Sequence, residues 1–317
     1  MQIHREGARI DMRNWRKSAF CFFLFIWLQA PHFIPTPSAF ASEGSLRNQI
    51  LFSSAAPDRW KLWSIGPDGR DLKQVTSGTE EEHFPSVSFD GKEILFVDNR
   101  RVLWVMKSDG AKRREIPLPR GIYAHPAWAP GGQEIAFVKY TVTPSDQSEI
   151  WTMKRQGERW REPERVSIYP PMRVYPSYSP DGLKLAYTEF RRDQRLGAIE
   201  EIGLLDLNQK AFRNITDDRV DHFKPVWSPT GEEIAYTSNK SGNYDIWVMS
   251  LKDGKQRQLT RDPSYDGEPT WAPDGREIAF ISTRSGKKEV WVMSALGDHP
   301  RQLTGMGKDC KDPFWAR

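Results

Sequence analysis

Pro269-Thr270-Trp271-Ala272-Pro273-Asp274-Gly275-Arg276-Glu277-Ile278-Ala279-Phe280-Ile281 is the stretch on which the fold turns. A short aromatic segment runs into a Pro-Asp-Gly turn and out again into an apolar run, which reads as two strands joined by a tight turn. Beyond it come a polar loop (Ser285-Gly286-Lys287-Lys288), a third strand (Glu289 to Met293), a turn at Gly297-Asp298 and a fourth strand (Arg301-Gln302-Leu303-Thr304). Four short antiparallel strands in about 44 residues are one blade of a β-propeller.

The unit recurs. Pro85, Pro126, Pro176, Pro225, Pro269 and Pro313 each open a segment related to P-x-(aromatic)-(S/A)-P-D-G, at a spacing of 41 to 50 residues. In the first five the proline lies eleven residues before an aromatic: Phe96, Phe137, Tyr187, Tyr236 and Phe280. The first-strand aromatic is Trp128, Tyr178, Trp227, Trp271 and Trp315, with Val87 the exception. The third-strand aromatic is Trp63, Trp104, Trp151, Trp247 and Trp291, with Gly203 the exception. These rings are repeat structure: no blade covers its own two faces, so stacked neighbours supply the core.

The ends of the chain complement one another. Asn48 to Phe52, Leu62 to Ile65 and Leu72 to Thr76 supply second, third and fourth strands without a first, and Lys311 to Arg317 is a first strand with nothing after it. The expected fold is therefore all-β, a six-bladed propeller of four-stranded antiparallel blades over residues 42–317. The C-terminal strand joins the N-terminal blade, which removes exposed edges.

Residues 1–41 read as a cleaved signal peptide. Arg5, Arg9, Arg13, Arg16 and Lys17 form a basic segment, Ala19 to Leu28 an apolar run too short for a bilayer, and Ala39-Phe40-Ala41 a small-residue cleavage site, with Met1 or Met12 as the start. Cleavage after Ala41 implies a periplasmic protein without stable membrane insertion. Of 46 Lys and Arg, five precede Ser42, as do two of 42 Asp and Glu, so residues 42–317 carry 41 against 40. Near-neutrality gives no argument for nucleic acid. Cys310 is the one cysteine left, so no internal disulfide is expected.

P-x-W-S-P-D-G followed by I-A-F/Y, I-W-V-M-x-x-D-G and Q-L-T resembles the repeat of the TolB-type propeller, also called WD40-like or PD40, over about residues 48 to 317. That resemblance implies a non-catalytic binding platform of the cell envelope, taking part in protein import as a scaffold. It also implies docking of a peptidoglycan-associated lipoprotein or of Tol components on the propeller. In TolB an α/β domain precedes the propeller. Only Ser42 to Arg47 stand between the cleavage site and the first strand here, so contacts made through such a domain are not expected.

Strand order separates two faces. Turns after strands one and three (Asp90-Gly91, Asp181-Gly182, Asp274-Gly275; Asp68-Gly69, Asp109-Gly110, Asp253-Gly254) are tight and share one face. The other face receives the lead-in to each first strand and the longer hairpins between strands two and three, the usual place for binding. Those hairpins are basic (Arg100, Arg101, Lys139, Arg191, Lys240, Lys287), and the lead-ins are acidic (Glu80, Asp217, Asp221, Asp266, Glu268, Asp309). Phe84, His125, Tyr175, Lys224, Glu268 and Asp312 all stand just before a repeat proline and should form one ring around the channel mouth, with His83, His222 and Asp266 beside it, as the partner-binding set.

Enzyme signatures are few. There is no G-x-S-x-G, no H-E-x-x-H, no phosphate-binding Gly-rich loop and no cysteine pair for zinc. No cofactor and no catalytic or metal-binding residue is assigned, and the protein is read as not an enzyme. The alternative is a metal-assisted carbohydrate-active enzyme, similar to a polysaccharide lyase, in which His83, His125 and His222 hold a divalent ion. Asp266, Glu268, Asp309 and Asp312 could hold a harder one.

Overall fold

The computed structural model describes residues 45–55, 58–141, 147–167, 171–193 and 197–317. The signal peptide and its cleavage site lie outside the described residues.

Six antiparallel sheets follow one another along the chain. Blade 2 begins at Glu82–Val87, blade 3 at Ile122–Trp128, blade 4 at Met172–Tyr178, blade 5 at His222–Trp227 and blade 6 at Asp266–Trp271, each of these being the first strand of its sheet. Blade 1 is assembled from both ends, as expected: Cys310–Trp315 pairs with Ile50–Ser54, which continues to Lys61–Ile65 and Lys73–Gln74. The seam is stitched by backbone bonds from Asn48 N–H to the Ala316 carbonyl (3.0 Å) and from Ala316 N–H to the Gln49 carbonyl (2.8 Å).

Blade 3 departs from four strands. Its third strand, Gln147–Gln156, pairs with both Arg159–Trp160 and Glu164–Arg165, because a hairpin through Gly157 splits the fourth position in two. No helix long and apolar enough to cross a membrane occurs among the described residues.

The core is not one cluster but six, each straddling a blade-to-blade interface. Ile50 and Phe52 of blade 1 pack with Ala279 and Ile281 of blade 6, and Leu51 and Leu62 pack with Ile94 and Phe96 of blade 2. The other four interfaces repeat this. Burying one large apolar side chain contributes about 1.5 to 3 kcal/mol, so closing the ring adds an interface that an open array would lack. The threonine of Q-L-T ties the fourth strand to the third: Thr76, Thr216, Thr260 and Thr304 accept third-strand N–H bonds at 3.0, 2.9, 3.0 and 2.9 Å.

The Gly203 exception has a steric cause. Gly203 pairs with Tyr187, and a Cβ built there would stand 2.3 Å from that ring. Tyr187 covers the place that the third-strand tryptophan fills in other blades. Cys310 is buried, and burial pushes its thiol up to about 12, which leaves it unreactive.

Candidate functional site

The six pre-proline residues share one backbone conformation that only glycine adopts freely. Phe84, His125, Tyr175, Lys224, Glu268 and Asp312 have φ of 54°, 49°, 53°, 51°, 59° and 53°. In every first strand the pairing register shifts at this point, so the pre-proline residue and its proline together oppose one second-strand residue. This is a β-bulge, and proline fits it because a bulged residue needs no ladder N–H. That opposed residue is Phe52, Phe96, Phe137, Tyr187, Tyr236 or Phe280, which explains the eleven-residue spacing: the turn must bring the aromatic back opposite the bulge.

The left-handed conformation costs roughly 1 to 2 kcal/mol per non-glycine residue. It persists because neighbours over-determine it. Lys224 N–H bonds to Thr188 Oγ1 (3.0 Å), Glu268 N–H to Thr237 Oγ1 (2.9 Å) and Asp312 N–H to Glu268 Oε2 (2.7 Å), each a contact to the preceding blade. One side chain per blade is thereby turned into the central channel.

Those six side chains meet, and they differ by halves. On blades 2 to 4 the ring is aromatic: Phe84 stands edge-on to His125 with centroids 4.4 Å apart, and His125 lies 4.0 Å from Tyr175. On blades 5, 6 and 1 it is ionic: Lys224 Nζ lies 2.7 Å from Glu268 Oε2 and 2.7 Å from Asp312 Oδ1, and 5.1 Å from the Tyr175 ring centre. Lys311 Nζ stacks over Trp60 at 4.1 Å and reaches 5.8 Å from Phe84, where the halves join.

Electrostatics follow from this packing. Burial pulls the Lys224 ammonium down, but the Asp312 and Glu268 carboxylates outweigh it and hold the group well above its ordinary value. Burial pushes Asp312 up, and Lys224 with Lys311 overrides this to hold it at about 2. Burial takes His125 down to about 3, with only a partial offset from Asp312, so its imidazole is neutral at ordinary pH.

The three histidines do not converge. His125 is in the ring. His83 lies beside it, between Trp60 (5.9 Å) and Phe84 (6.2 Å), and burial lowers it to about 3. His222 is one register further back, fully buried against Tyr236 at 5.4 Å and bonded to Asp218. Offsets of one, two and three residues from the proline point the rings to different surroundings, because side chains in a strand alternate between faces. Asp266 leaves the channel as well: it is buried and takes Arg284 at 2.6 Å. Asp309 accepts the Lys288 N–H at 3.2 Å. Among the described residues no three His, Cys, Asp or Glu side chains form a group that could hold a metal ion. The donor set required by the lyase-like alternative is not assembled.

The expected contrast between a basic rim and an acidic centre is largely paired away. Arg100 binds Asp98 (2.8 Å), Lys240 binds Asp218 (2.6 Å), Arg284 binds Asp266 and Arg191 approaches Glu201 (3.7 Å). Burial raises Glu201 to about 7, with Arg191 only partly opposing it. Strand order placed these charges on one face without showing which of them would pair.

The space behind the ring was not legible in the repeat pattern. A cavity of about 230 Å³ is lined by the six pre-proline residues, their prolines and side chains up to Phe89, Pro130, Pro229 and Arg317 at the tight turns. No residue earlier in any first strand lines it, so the cavity extends from the ring toward the tight-turn face. Small residues after the proline (Ser86, Ala127, Ser177) were the available signal.

Comparison with known proteins gives four relevant likenesses. A family model described as the TolB beta propeller domain matches residues 133–317. The curated TolB homolog of Chlorobium luteolum is 28% identical over 170 residues, covering 53% of this chain and 36% of the relative. The uncharacterized peptidase YuxL of Bacillus subtilis is 25% identical over 185 residues, covering 55% of this chain and 25% of that protein. Among solved structures, TolB from Acinetobacter baumannii superposes with a TM-score of 0.72 at 21% identity, over 86% of this chain and 67% of the other. The chain thus spans about a third of the length of the TolB relative.

Proposed function

This chain belongs to the TolB β-propeller family, and we propose that it is an exported, non-catalytic docking platform of the cell envelope. In this reading residues 1–41 are removed after Ala41 and the propeller works in the periplasm. A protein partner of the peptidoglycan-associated lipoprotein class docks on the loop-rich face, over the channel ring.

One observation carries the reading: six bulky or charged residues from six blades are held in a strained conformation so that their side chains meet at one place. Strain of this kind concentrates at functional positions. The repeat fixes the backbone while leaving residue type open, so the ring is where a propeller of this family can acquire a specific surface. Phe84, Tyr175 and Lys224 keep partial exposure and are the proposed contacts; the His125, Glu268 and Asp312 side chains are more than nine-tenths buried and set the floor beneath them. His83 extends the contact, while His222 and Asp266 act only as buried supports.

The test is titration of purified peptidoglycan-associated lipoprotein against protein recovered from the periplasm, whose intact mass should correspond to a chain beginning at Ser42. Tyr175→Ala or Phe84→Ala should weaken binding by about 1 to 3 kcal/mol, because central desolvated contacts dominate, with little change in the melt. Lys287→Glu should mainly alter salt dependence. Loss of binding on changing Lys92 or Arg276, beside the tight turns, with normal binding by the ring variants, overturns the assignment of the face.

A further inference from the structure

The cavity runs from the ring toward the tight turns and shares Phe84, Tyr175 and Lys224 with the proposed docking surface, but its turn-side end lies outside that surface. Its chemistry changes along the axis. At the floor, Phe84, His125 and Tyr175 offer a stacked aromatic surface without charge. On the other half of the floor Lys224 lies between Glu268 and Asp312, and Asp312 Oδ2 has no hydrogen-bond partner. At the mouth, Phe89 is 50% exposed, and the Arg317 guanidinium stands 5.7 Å from its ring centre.

Arg317 differs from most of the well-covered arginines, which have carboxylates: Arg113 on Glu82 (3.0 Å), Arg155 on Glu93 (2.6 Å), Arg173 on Glu189 (3.0 Å) and Arg284 on Asp266 (2.6 Å). Arg317 lines the cavity and is half-buried, yet no Asp or Glu among the described residues reaches it within ion-pair distance. A guanidinium taken partly out of water, without an Asp or Glu side chain and beside an aromatic ring, is arranged to receive a carboxylate.

We infer that this cavity binds a small amphipathic carboxylate, its acid group on Arg317 and its aromatic or branched apolar body directed toward Phe84, His125 and Tyr175. A volume of about 230 Å³ falls below the roughly 300 to 1,000 Å³ of pockets for drug-sized ligands, which limits the occupant to a single ring or one residue. Two sources share the required chemistry, a free organic acid and the C-terminal residue of a peptide.

The experiment titrates 3-phenylpropionate, 3-phenylpropionamide, and Gly-Gly-Phe with a free or amidated C-terminus, by calorimetry or ligand-detected NMR. The proteins are wild type, Arg317→Gln and Ala127→Leu, which fills the cavity from its wall. Ser177→Leu is the second plug if Ala127→Leu fails to fold. The expected result is millimolar or better binding of 3-phenylpropionate, at least tenfold weaker binding of its amide, at least a tenfold loss in Arg317→Gln and no binding in the plugged variant. Gly-Gly-Phe binding as well as the free acid assigns the site to peptide ends; binding of the acid alone assigns it to small molecules. Equal binding of acid and amide, indifference to both substitutions, or no binding of 3-phenylpropionate overturns the inference.

Discussion

The two halves of the channel ring occupy the same six positions of the same repeat, share the same left-handed bulge, and yet hold together by different physics. Blades 2 to 4 contribute rings at van der Waals contact; blades 5, 6 and 1 contribute one cation between two anions. The difference teaches that the backbone device is indifferent to what it presents. A bulge opposite a buried aromatic, locked by proline and on blades 5, 6 and 1 also by a bond to the preceding blade, fixes where the side chain goes. Which contacts it then makes is free to vary, and so are the consequences of removing it.

The comparison is broken most completely by removing the strand on which it closes. Deleting residues 309–317 takes away Asp312 and Trp315, leaves one edge of Ile50–Ser54 unpaired and uncovers the interface between blades 1 and 6. Stability should collapse far beyond the effect of a nine-residue tail, with a melt lowered by more than about 10 °C or no cooperative transition at all. A truncated protein that melts within a degree or two of wild type rules out closure by this strand.

Within the intact ring, the ionic half should be the brittle one. Lys224→Met leaves Glu268 and Asp312 buried without a cation and should cost about 3 to 5 kcal/mol in denaturant unfolding. Adding Glu268→Gln and Asp312→Asn should recover most of the loss, because the cost comes from uncompensated charge. Tyr175→Phe, on the aromatic side, keeps the stacked ring and should cost under about 1 kcal/mol. Equal losses on both sides would mean that packing, and not charge, holds the ring.

A smaller effect sharpens the contrast by pH. Unfolded histidine titrates near 6.5, whereas His125 in the fold titrates at about 3, so below pH 6.5 the unfolded chain binds a proton that the folded ring refuses. Stability therefore falls as pH drops through this window. His125→Phe keeps an aromatic at the site and removes the titration, so its stability relative to wild type should rise by about 2 to 3 kcal/mol between pH 6.5 and 4. The same comparison at pH 7 to 8 should be flat. A pH-independent difference would place His125 in contact with solvent.

The sequence alone determined the blade, the count of six, the closing strand and the membership of the ring, and one reason covers all four. Each is set by short-range rules, such as turn chemistry, alternation of side chains and the place of a proline in its repeat, which act over one hairpin and are written again in every unit. Even the exception at Gly203 was visible as a missing tryptophan, although only the structure showed Tyr187 occupying its place. The tertiary structure decided what those rules do not reach. Lys224 and Asp312 are 88 residues apart in the chain and 2.7 Å apart in the ring. His83, His125 and His222 looked like one set until their registers were placed on a real sheet, where a shift of one residue turns a side chain to the other face. The basic hairpins and acidic lead-ins looked like two zones until Lys240 was found on Asp218 and Arg284 on Asp266. The cavity that runs from the ring to Arg317 depends on how six side chains from six blades fill a shared space, and no single repeat contains that information.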